Sequence, residues 1–254
     1  MTTRIEIDER QWIELDASPP AGNQPWVVFM HGLASRRDGA KGTFFSEALT
    51  ERGFGFVRFD FRGHGESSGR MHDLTLTSMI EDIGLVIDLL RHGLIAEPAR
   101  RLILVGSSVG ALVSSWYSID APKNVLGQVL VAPAFELIEK YVESLDESAL
   151  ARWQKEGAHA LVGPWGQFDL SWESILDAET YEQSELSRRT DRPTLIIHGT
   201  QDETAPHDAS LRFIGSCAAP RPELLSIPGG DHYLAQELDL VTEAIIAFAH
   251  TVSA

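Results

Sequence analysis

Apolar residues follow two alternating patterns along the chain. Short runs of consecutive apolar residues, bounded by turn residues, are typical of strands in a parallel sheet whose two faces are both covered. Between these runs, apolar residues recur at helical spacing, most clearly along a stripe from Leu76 to Leu94. The runs predict strands at 11–15, 26–30, 55–59, 101–106, 125–132, 194–198 and 223–227. The helical pattern predicts helices at 44–52 and 76–94, after Ser108, from about Pro206, and at 240–250.

Strands that alternate with helices predict an α/β fold with a mostly parallel central sheet flanked by helices. One segment interrupts the alternation, because no strand pattern follows Ala132 until Thr194. Helices are predicted there at 135–145, 147–156 and 172–188. The segment is rich in aromatic and acidic residues, which suits a small cap with an apolar underside and a solvated outer face. We therefore predict a core at 1–134 and 192–254, with a helical cap inserted at 135–191 before the last two strands.

The composition of the chain disfavours several classes of binding partner. The 254 residues are 43% hydrophobic, which is enough for a sizeable core, and the net charge of −16 disfavours nucleic acid and anionic membrane surfaces. No stretch approaches the roughly 18 apolar residues of a membrane span. The stretch MTTRIEIDERQWIELD lacks the apolar core of a secretory signal, and a single cysteine, Cys217, cannot form an intrachain disulfide. We expect a cytoplasmic protein, and no oligomeric state is predicted.

One short stretch, LILVGSSVGAL at 102–112, points to chemistry. Gly106 and Gly110 flank Ser108 at two residues on each side, where a predicted buried strand gives way to a helix. A serine in such a turn adopts a strained backbone conformation that requires small neighbours, and its hydroxyl is lifted clear of the sheet. The turn also directs the N–H of Val109 at the place where an oxyanion would form. Ser107 has the wrong spacing to both glycines.

A serine hydroxyl needs a base, and the base needs an orienting acid. In folds with this serine turn, the acid and the histidine follow the serine in that order, each on a loop after a strand. HGTQDETAP places Asp202 after the predicted strand 194–198, and PGGDHYL places His232 after the strand 223–227. Alternative acids are Asp231, Glu203 and Glu136.

A second oxyanion donor is expected in the loop after the predicted strand 26–30. That loop begins His31-Gly32-Leu33, and Gly32 lets the backbone approach closely, so that the N–H of Leu33 can face the site. His31 and the RGHG turn at 62–65 are expected to stabilise the loops around the site.

These motifs together resemble the α/β-hydrolase superfamily. HG at 31–32, RGHG at 62–65, GSSVG at 106–110, HGTQD at 198–202 and GGDH at 229–232 have its order and spacing. FVRFDFRGHGESSG followed by IEDIG is similar to bacterial cinnamoyl or feruloyl esterases. LVGSSVG with ESLDESALARWQKEG also resembles serine thioesterases that remove palmitoyl groups from protein cysteines. The resemblance implies Ser108, Asp202 and His232 as the triad, with Leu33 and Val109 as oxyanion donors.

The predicted activity is hydrolysis of small-molecule carboxylic esters through an acyl-enzyme, with acyl thioester hydrolysis as the alternative. C–C hydrolysis, perhydrolysis and a slow-turnover small-molecule receptor on the same fold remain minority alternatives. No cofactor and no metal are expected, because no phosphate-loop, dinucleotide or metal-ligand spacing is complete. Within the cap, the aromatic residues expected to line an apolar acyl or aryl pocket, or else to hold the cap on the core, are Trp153, Trp165, Trp172 and Tyr141.

Overall fold

The computed structural model describes residues 2–163 and 166–253. The strands are β1 (Thr2–Glu6), β2 (Trp12–Ser18), β3 (Trp26–Met30), β4 (Gly55–Phe59), β5 (Leu102–Ser107), β6 (Val125–Val131), β7 (Ala158–Gly163), β8 (Gly166–Ser171), β9 (Thr194–Gly199) and β10 (Glu223–Ile227). The helices are α1 (Ala40–Glu51), α2 (Leu76–Arg91), α3 (Val109–Ile119), α4 (Leu137–Ser144), α5 (Glu147–Glu156), α6 (Trp172–Ala178), α7 (Gln183–Arg189), α8 (His207–Ser216) and α9 (Leu238–Ser253), with a short 3₁₀ helix at Met71–Asp73.

Eight strands form one sheet in the order β1-β2-β4-β3-β5-β6-β9-β10. The pairings β1–β2 and β2–β4 are antiparallel. The other six strands of this sheet, β4, β3, β5, β6, β9 and β10, run parallel to one another. The predicted mostly parallel sheet flanked by helices is therefore confirmed. Because parallel strands bring their carboxyl ends to one edge of a sheet, the loops that follow β5, β9 and β10 meet at that edge.

Helices cover both faces of the sheet, so the parallel strands are apolar along their whole length. In β3 all five residues are buried; Val28 and Met30 pack with α2 and α3 on one face, and Val27 and Phe29 pack with α1 and α9 on the other. This continuous burial explains why consecutive apolar residues predicted the strands. No helix among the described residues is long and apolar enough to cross a membrane.

The segment between β6 and β9 is not purely helical. It holds α4 to α7, but β7 and β8 form an antiparallel hairpin between α5 and α6, where a turn-rich connection was expected. The strands bury few side chains, since Leu161 is buried while its neighbour Val162 is exposed. With so little apolar burial, the hairpin carries no strong sequence pattern, which is why no strand was predicted in this segment.

The single helix expected at 172–188 is two helices. The chain leaves the helix after Ala178 and enters α7 at Gln183. At the break, Thr77 Oγ1 donates to Asp177 Oδ1 at 2.5 Å and lies 2.7 Å from the Tyr181 hydroxyl. These contacts join the inserted segment to the start of α2. Leu186 of α7 is fully buried in the main core, so the division at 135–191 stays a prediction.

Candidate active site

The turn between β5 and α3 holds Ser108 in an unusual backbone conformation. Its φ is 57° and its ψ is −121°, a region that non-glycine residues rarely adopt. A Cβ on Gly106 would lie 2.5 Å from the Cα of Ala111, and one on Gly110 would lie 2.4 Å from the His31 carbonyl oxygen. The two glycines therefore permit the turn because any side chain there would collide with backbone atoms.

Ser108 and two residues that are distant in sequence lie within hydrogen-bonding distance at this edge of the sheet. His232 Nε2 is 3.0 Å from Ser108 Oγ, and His232 Nδ1 is 2.7 Å from Asp202 Oδ2. Asp202 follows β9 and His232 follows β10, as the sequence predicted. Such a chain of contacts has the geometry of a nucleophile, a general base and an orienting acid.

Asp202 is held by backbone as well as by side chains. Its Oδ1 accepts hydrogen bonds from the N–H groups of Thr204 (2.9 Å) and Ala205 (2.8 Å). Burial works against ionisation of this carboxyl, but hydrogen bonds from His198, His232 and the Ala205 N–H outweigh it and hold the pKa of Asp202 well below its usual range. Asp202 is therefore a carboxylate at neutral pH.

The structure adds a contact that the sequence did not assign. His198 lies near the end of β9 and is fully buried, and its Nε2 is 3.1 Å from Asp202 Oδ2. Its position four residues before Asp202 is visible in HGTQD, but the motif alone does not say that the two side chains meet.

The alternative acids do not contact His232. Asp231 Oδ1 accepts hydrogen bonds from the N–H groups of Tyr233 and Leu234 in its own turn. Glu136 forms ion pairs with Arg212 (2.6 Å) and Lys140 (3.1 Å), and Glu203 is exposed. Among the four carboxylates considered, Asp202 is thus the one in contact with the histidine.

The loop after β3 lies against the serine. A Cβ on Gly32 would lie 3.1 Å from the Ser108 Cβ, so the glycine permits the close approach. Neither Leu33 N–H nor Val109 N–H donates a hydrogen bond to any of the described residues. Both N–H groups are thus free among the described residues, as the donors of an oxyanion hole must be.

Two buried histidines hold this loop. His31 Nδ1 donates to the Gly32 carbonyl (2.8 Å) and its Nε2 accepts from the Phe61 N–H (3.2 Å), while His64 Nε2 accepts from the Ala34 N–H (3.2 Å). Because both rings act as acceptors, both are neutral. Burial lowers the pKa of His31 to about 4, and burial together with the neighbouring His31 lowers the pKa of His64 to about 3. The bonds at Gly32 and Ala34 bracket Leu33.

An ion-pair cluster ties the adjacent loops together. The carboxylate of Asp60, fully buried, contacts the Arg37 guanidinium and accepts from the Arg37 N–H (2.6 Å) and the Glu66 N–H (3.0 Å). Arg37 also pairs with Glu66 at 2.6 Å. The cluster supports the expectation that the turn containing RGHG stabilises the loops around the site. Within the described part of the chain, no group of three His, Cys, Asp or Glu side chains is placed to hold a metal ion.

Comparison with known proteins decides the family. The Hydrolase_4 family, described as serine aminopeptidase, S33, matches residues 22–167, which is more than half of the chain. The chain belongs to this family. It is an α/β-hydrolase, as its motifs indicated.

Relatives of this S33 protein include esterases and thioesterases. It is 24% identical over 222 residues to the palmitoyl-protein thioesterase ABHD10, mitochondrial, of Mus musculus. The matched region is 86% of this chain and 72% of the mouse protein. A putative hydrolase from Agrobacterium vitis S4 has a TM-score of 0.86 at 23% identity and covers 98% of both chains. Est1E from Butyrivibrio proteoclasticus, solved with ferulic acid bound, has a TM-score of 0.82 at 24% identity and covers 97% of both chains.

A cavity of about 400 Å³ opens between the core and the inserted segment. Its wall includes the large side chains Leu76, Leu112, Trp116, Ile175 and Tyr181, together with five glutamates, Glu136, Glu139, Glu143, Glu179 and Glu182. Leu112 lies one turn of α3 beyond Ser108, which is about 6 Å along the helix axis. The volume is in the range of small-molecule sites.

Three of the four aromatic residues expected to line a pocket do not line this cavity. Trp153 is 1% exposed, donates from Nε1 to the Leu170 carbonyl (3.0 Å) and packs edge-on against Trp172. The Tyr141 hydroxyl lies 2.9 Å from His159 Nε2. None of these three aromatic side chains lines the cavity, and Trp165 lies outside the described residues. Trp153, Trp172 and Tyr141 instead join α4, α5, the hairpin and α6 to one another.

Proposed function

We propose that the protein hydrolyses carboxylic esters through an acyl-enzyme, with Ser108 as nucleophile, His232 as general base and Asp202 as orienting acid. One observation carries the proposal: the continuous chain of contacts from Ser108 Oγ to His232 at 3.0 Å and from His232 to Asp202 at 2.7 Å. The free N–H groups of Leu33 and Val109 and the esterases among the structural neighbours support it.

In the first half-reaction, Ser108 Oγ attacks the acyl carbonyl carbon while its proton passes to His232 Nε2. The carbonyl oxygen becomes an oxyanion that the N–H groups of Leu33 and Val109 stabilise, each worth about 10²–10³ in rate. The bond to the leaving oxygen then breaks, and the alcohol departs with the proton from His232. Water enters with His232 as base, and the acyl-enzyme is cleaved to a carboxylic acid and free Ser108.

We place the acyl or aryl group of the substrate in the cavity beyond Leu112. The apolar side of its wall, which includes Leu112, Trp116 and Ile175, suits an aliphatic chain or an aromatic ring. This assignment replaces the pocket expected from Trp153, Trp165, Trp172 and Tyr141. The Trp153 ring packs against those of Trp172 and Tyr141, and the Tyr141 hydroxyl contacts His159.

Acyl thioester hydrolysis is a second candidate. The same serine attack would release a thiol in place of an alcohol, and the relative from mouse is named a palmitoyl-protein thioesterase. Oxygen esters and thioesters with the same acyl group, compared by kcat/KM over rising chain length, separate the two. A kcat on any of them above about 0.1 s⁻¹ excludes a slow-turnover receptor, given typical enzyme values.

The direct test is hydrolysis of p-nitrophenyl acetate by Ser108→Ala. We expect kcat/KM to fall by at least about 10³-fold with an unchanged melting temperature, because the nucleophile is lost and its surroundings are kept. Ser107→Ala is the matched control, since the neighbouring serine lies in β5 and does not contact His232; it should retain activity. A Ser108→Ala variant that keeps more than a few per cent of the wild-type rate contradicts the proposal.

We also propose a cytoplasmic location, which the single free Cys217 supports because the fold requires no disulfide. The mouse relative is described as mitochondrial, so fractionation of the source cells with an antibody to this protein is the appropriate test.

A further inference from the structure

Two imidazoles contact one oxygen of Asp202. His232 Nδ1 lies 2.7 Å from Asp202 Oδ2, and His198 Nε2 lies 3.1 Å from the same atom. His198 Nε2 is also 2.8 Å from the Ala205 carbonyl oxygen. A carboxylate and a carbonyl can only accept, so this nitrogen carries a hydrogen whatever the charge of the ring. His198 therefore donates to the oxygen that orients His232.

The His198 ring is fixed in this position. Its side chain is fully buried, and its Nδ1 lies 2.8 Å from the hydroxyl of Ser210 on α8. His207, also on α8, packs edge-on against the ring with centroids 5.5 Å apart. Since His198 lies within β9 and Asp202 lies on the loop that follows, one strand positions both the donor and the carboxylate.

Sharing the carboxylate has an electrostatic consequence. Each hydrogen bond donated to a carboxylate oxygen stabilises its charge and reduces what that charge offers to other partners. The hydrogen bond from His198 thereby weakens the electrostatic attraction between the Asp202 carboxylate and a protonated His232. Among the described residues, the other titratable groups that act here are Lys41 of α1, which interacts with Asp202 and Asp231, and His207, which interacts with His198.

We propose that His198 is a positioning residue that acts through Asp202: it holds the carboxylate in place and sets the pH below which His232 ceases to act as a base. The inference rests on the proposed function, since it assigns His198 a role in the same reaction.

The test compares two substitutions by the pH dependence of kcat/KM. In His198→Leu the hydrogen-bond donor is lost, so the whole charge of Asp202 acts on His232. The acid limb of the pH profile of kcat/KM should then move to higher pH by about half a unit, and kcat should fall by about tenfold. In His198→Gln an amide N–H replaces the ring N–H, and the acid limb should stay near its wild-type position. Ser210→Ala, which releases only the other ring nitrogen, should move the limb less than His198→Leu in the same direction.

His92→Gln is the control, because His92 lies at the exposed end of α2 and contacts neither His198 nor Asp202, and its acid limb should stay in place. If the acid limb stays in place in His198→Leu, or in Ser210→Ala where His198→Leu does not fold, His198 serves packing alone and the inference is overturned. That result differs from failure of the proposed function, in which Ser108→Ala would retain turnover.

Discussion

Gly110 shows what a single missing side chain permits at the serine turn. A Cβ there would lie 2.4 Å from the His31 carbonyl oxygen and 2.5 Å from that of Met30, both backbone atoms of the adjoining β3 and its loop. Backbone atoms in a packed sheet cannot move aside as the end of a flexible side chain can. The glycine therefore lets the start of α3 approach β3 and the loop that follows it.

Gly110→Ala should lower the free energy of unfolding by at least about 2 kcal/mol, because the methyl group collides with backbone on two sides. The exposed Gly215 of α8 is the matched control, since nothing lies within 4 Å of its Cβ position. Gly215→Ala should raise the free energy of unfolding by about 0.5–1 kcal/mol through better helix propensity. Urea unfolding measures both, and equal midpoints for the two variants would contradict the steric argument.

The loop that carries Leu33 depends on side chains that lie on either side of it in the sequence. His31 at the end of β3 and His64 in the turn after β4 bind Gly32 and Ala34, the residues on either side of Leu33. Ala34 has a φ of 55°, so the loop is held in a conformation that an alanine does not favour. The two histidines stabilise this conformation only while they are neutral and able to accept.

His64→Ala should therefore lower kcat by about tenfold or more and leave KM nearly unchanged, because the proposed role of the Leu33 N–H is to stabilise the oxyanion and not the bound ester. The measurement is steady-state hydrolysis of p-nitrophenyl acetate. His92→Ala, at the exposed end of α2, is the control and should keep both constants. A rise in KM alone would mean that His64 supports substrate binding and not the donor.

Across the whole molecule, the same buried histidines link stability to pH. In the unfolded chain a histidine has a pKa near 6.5, whereas burial lowers the pKa of His31 to about 4 and that of His64 to about 3. Between these values the unfolded state binds protons that the folded state does not, so stability falls as the pH falls. Ionised Asp202 also contributes to stability, and this contribution is lost at a lower pH than that of the histidines, because the pKa of Asp202 is lowered from a value already near 4.

Wild-type protein should thus lose stability from pH 6.5 down to pH 4, with His31 alone contributing up to about 3 kcal/mol. His64→Gln should be less stable than wild type at pH 7.5, and the difference should shrink at pH 5, since the variant has one fewer buried ring to protonate. Urea unfolding at the two pH values checks this, with His92→Gln as control. Parallel pH dependences for wild type and His64→Gln would show that His64 is not the linked group.

Whether a strand or helix could be predicted from the sequence depended on which contacts stabilise it. β3, β4 and β10 have the predicted bounds, and α5 matches 147–156, because Asp146 caps its start and Gly157 ends it with a positive φ. β1 was not predicted, since its residues are alternately exposed and half-buried and it is stabilised by its antiparallel pairing with β2. The hairpin of β7 and β8 was missed for the same reason.

The order of apolar strands, the glycine-flanked turn at Ser108 and the loops that carry Asp202 and His232 were predicted correctly, because local sterics and continuous burial leave their pattern in neighbouring residues. Three features became visible in the folded chain alone: His198 shares Asp202 with His232, His31 and His64 bind the residues on either side of Leu33, and Trp116 and Tyr181 line the cavity while Trp153 does not. These contacts join residues from separate elements, and their distances follow from how the sheet, helices and insertion pack together.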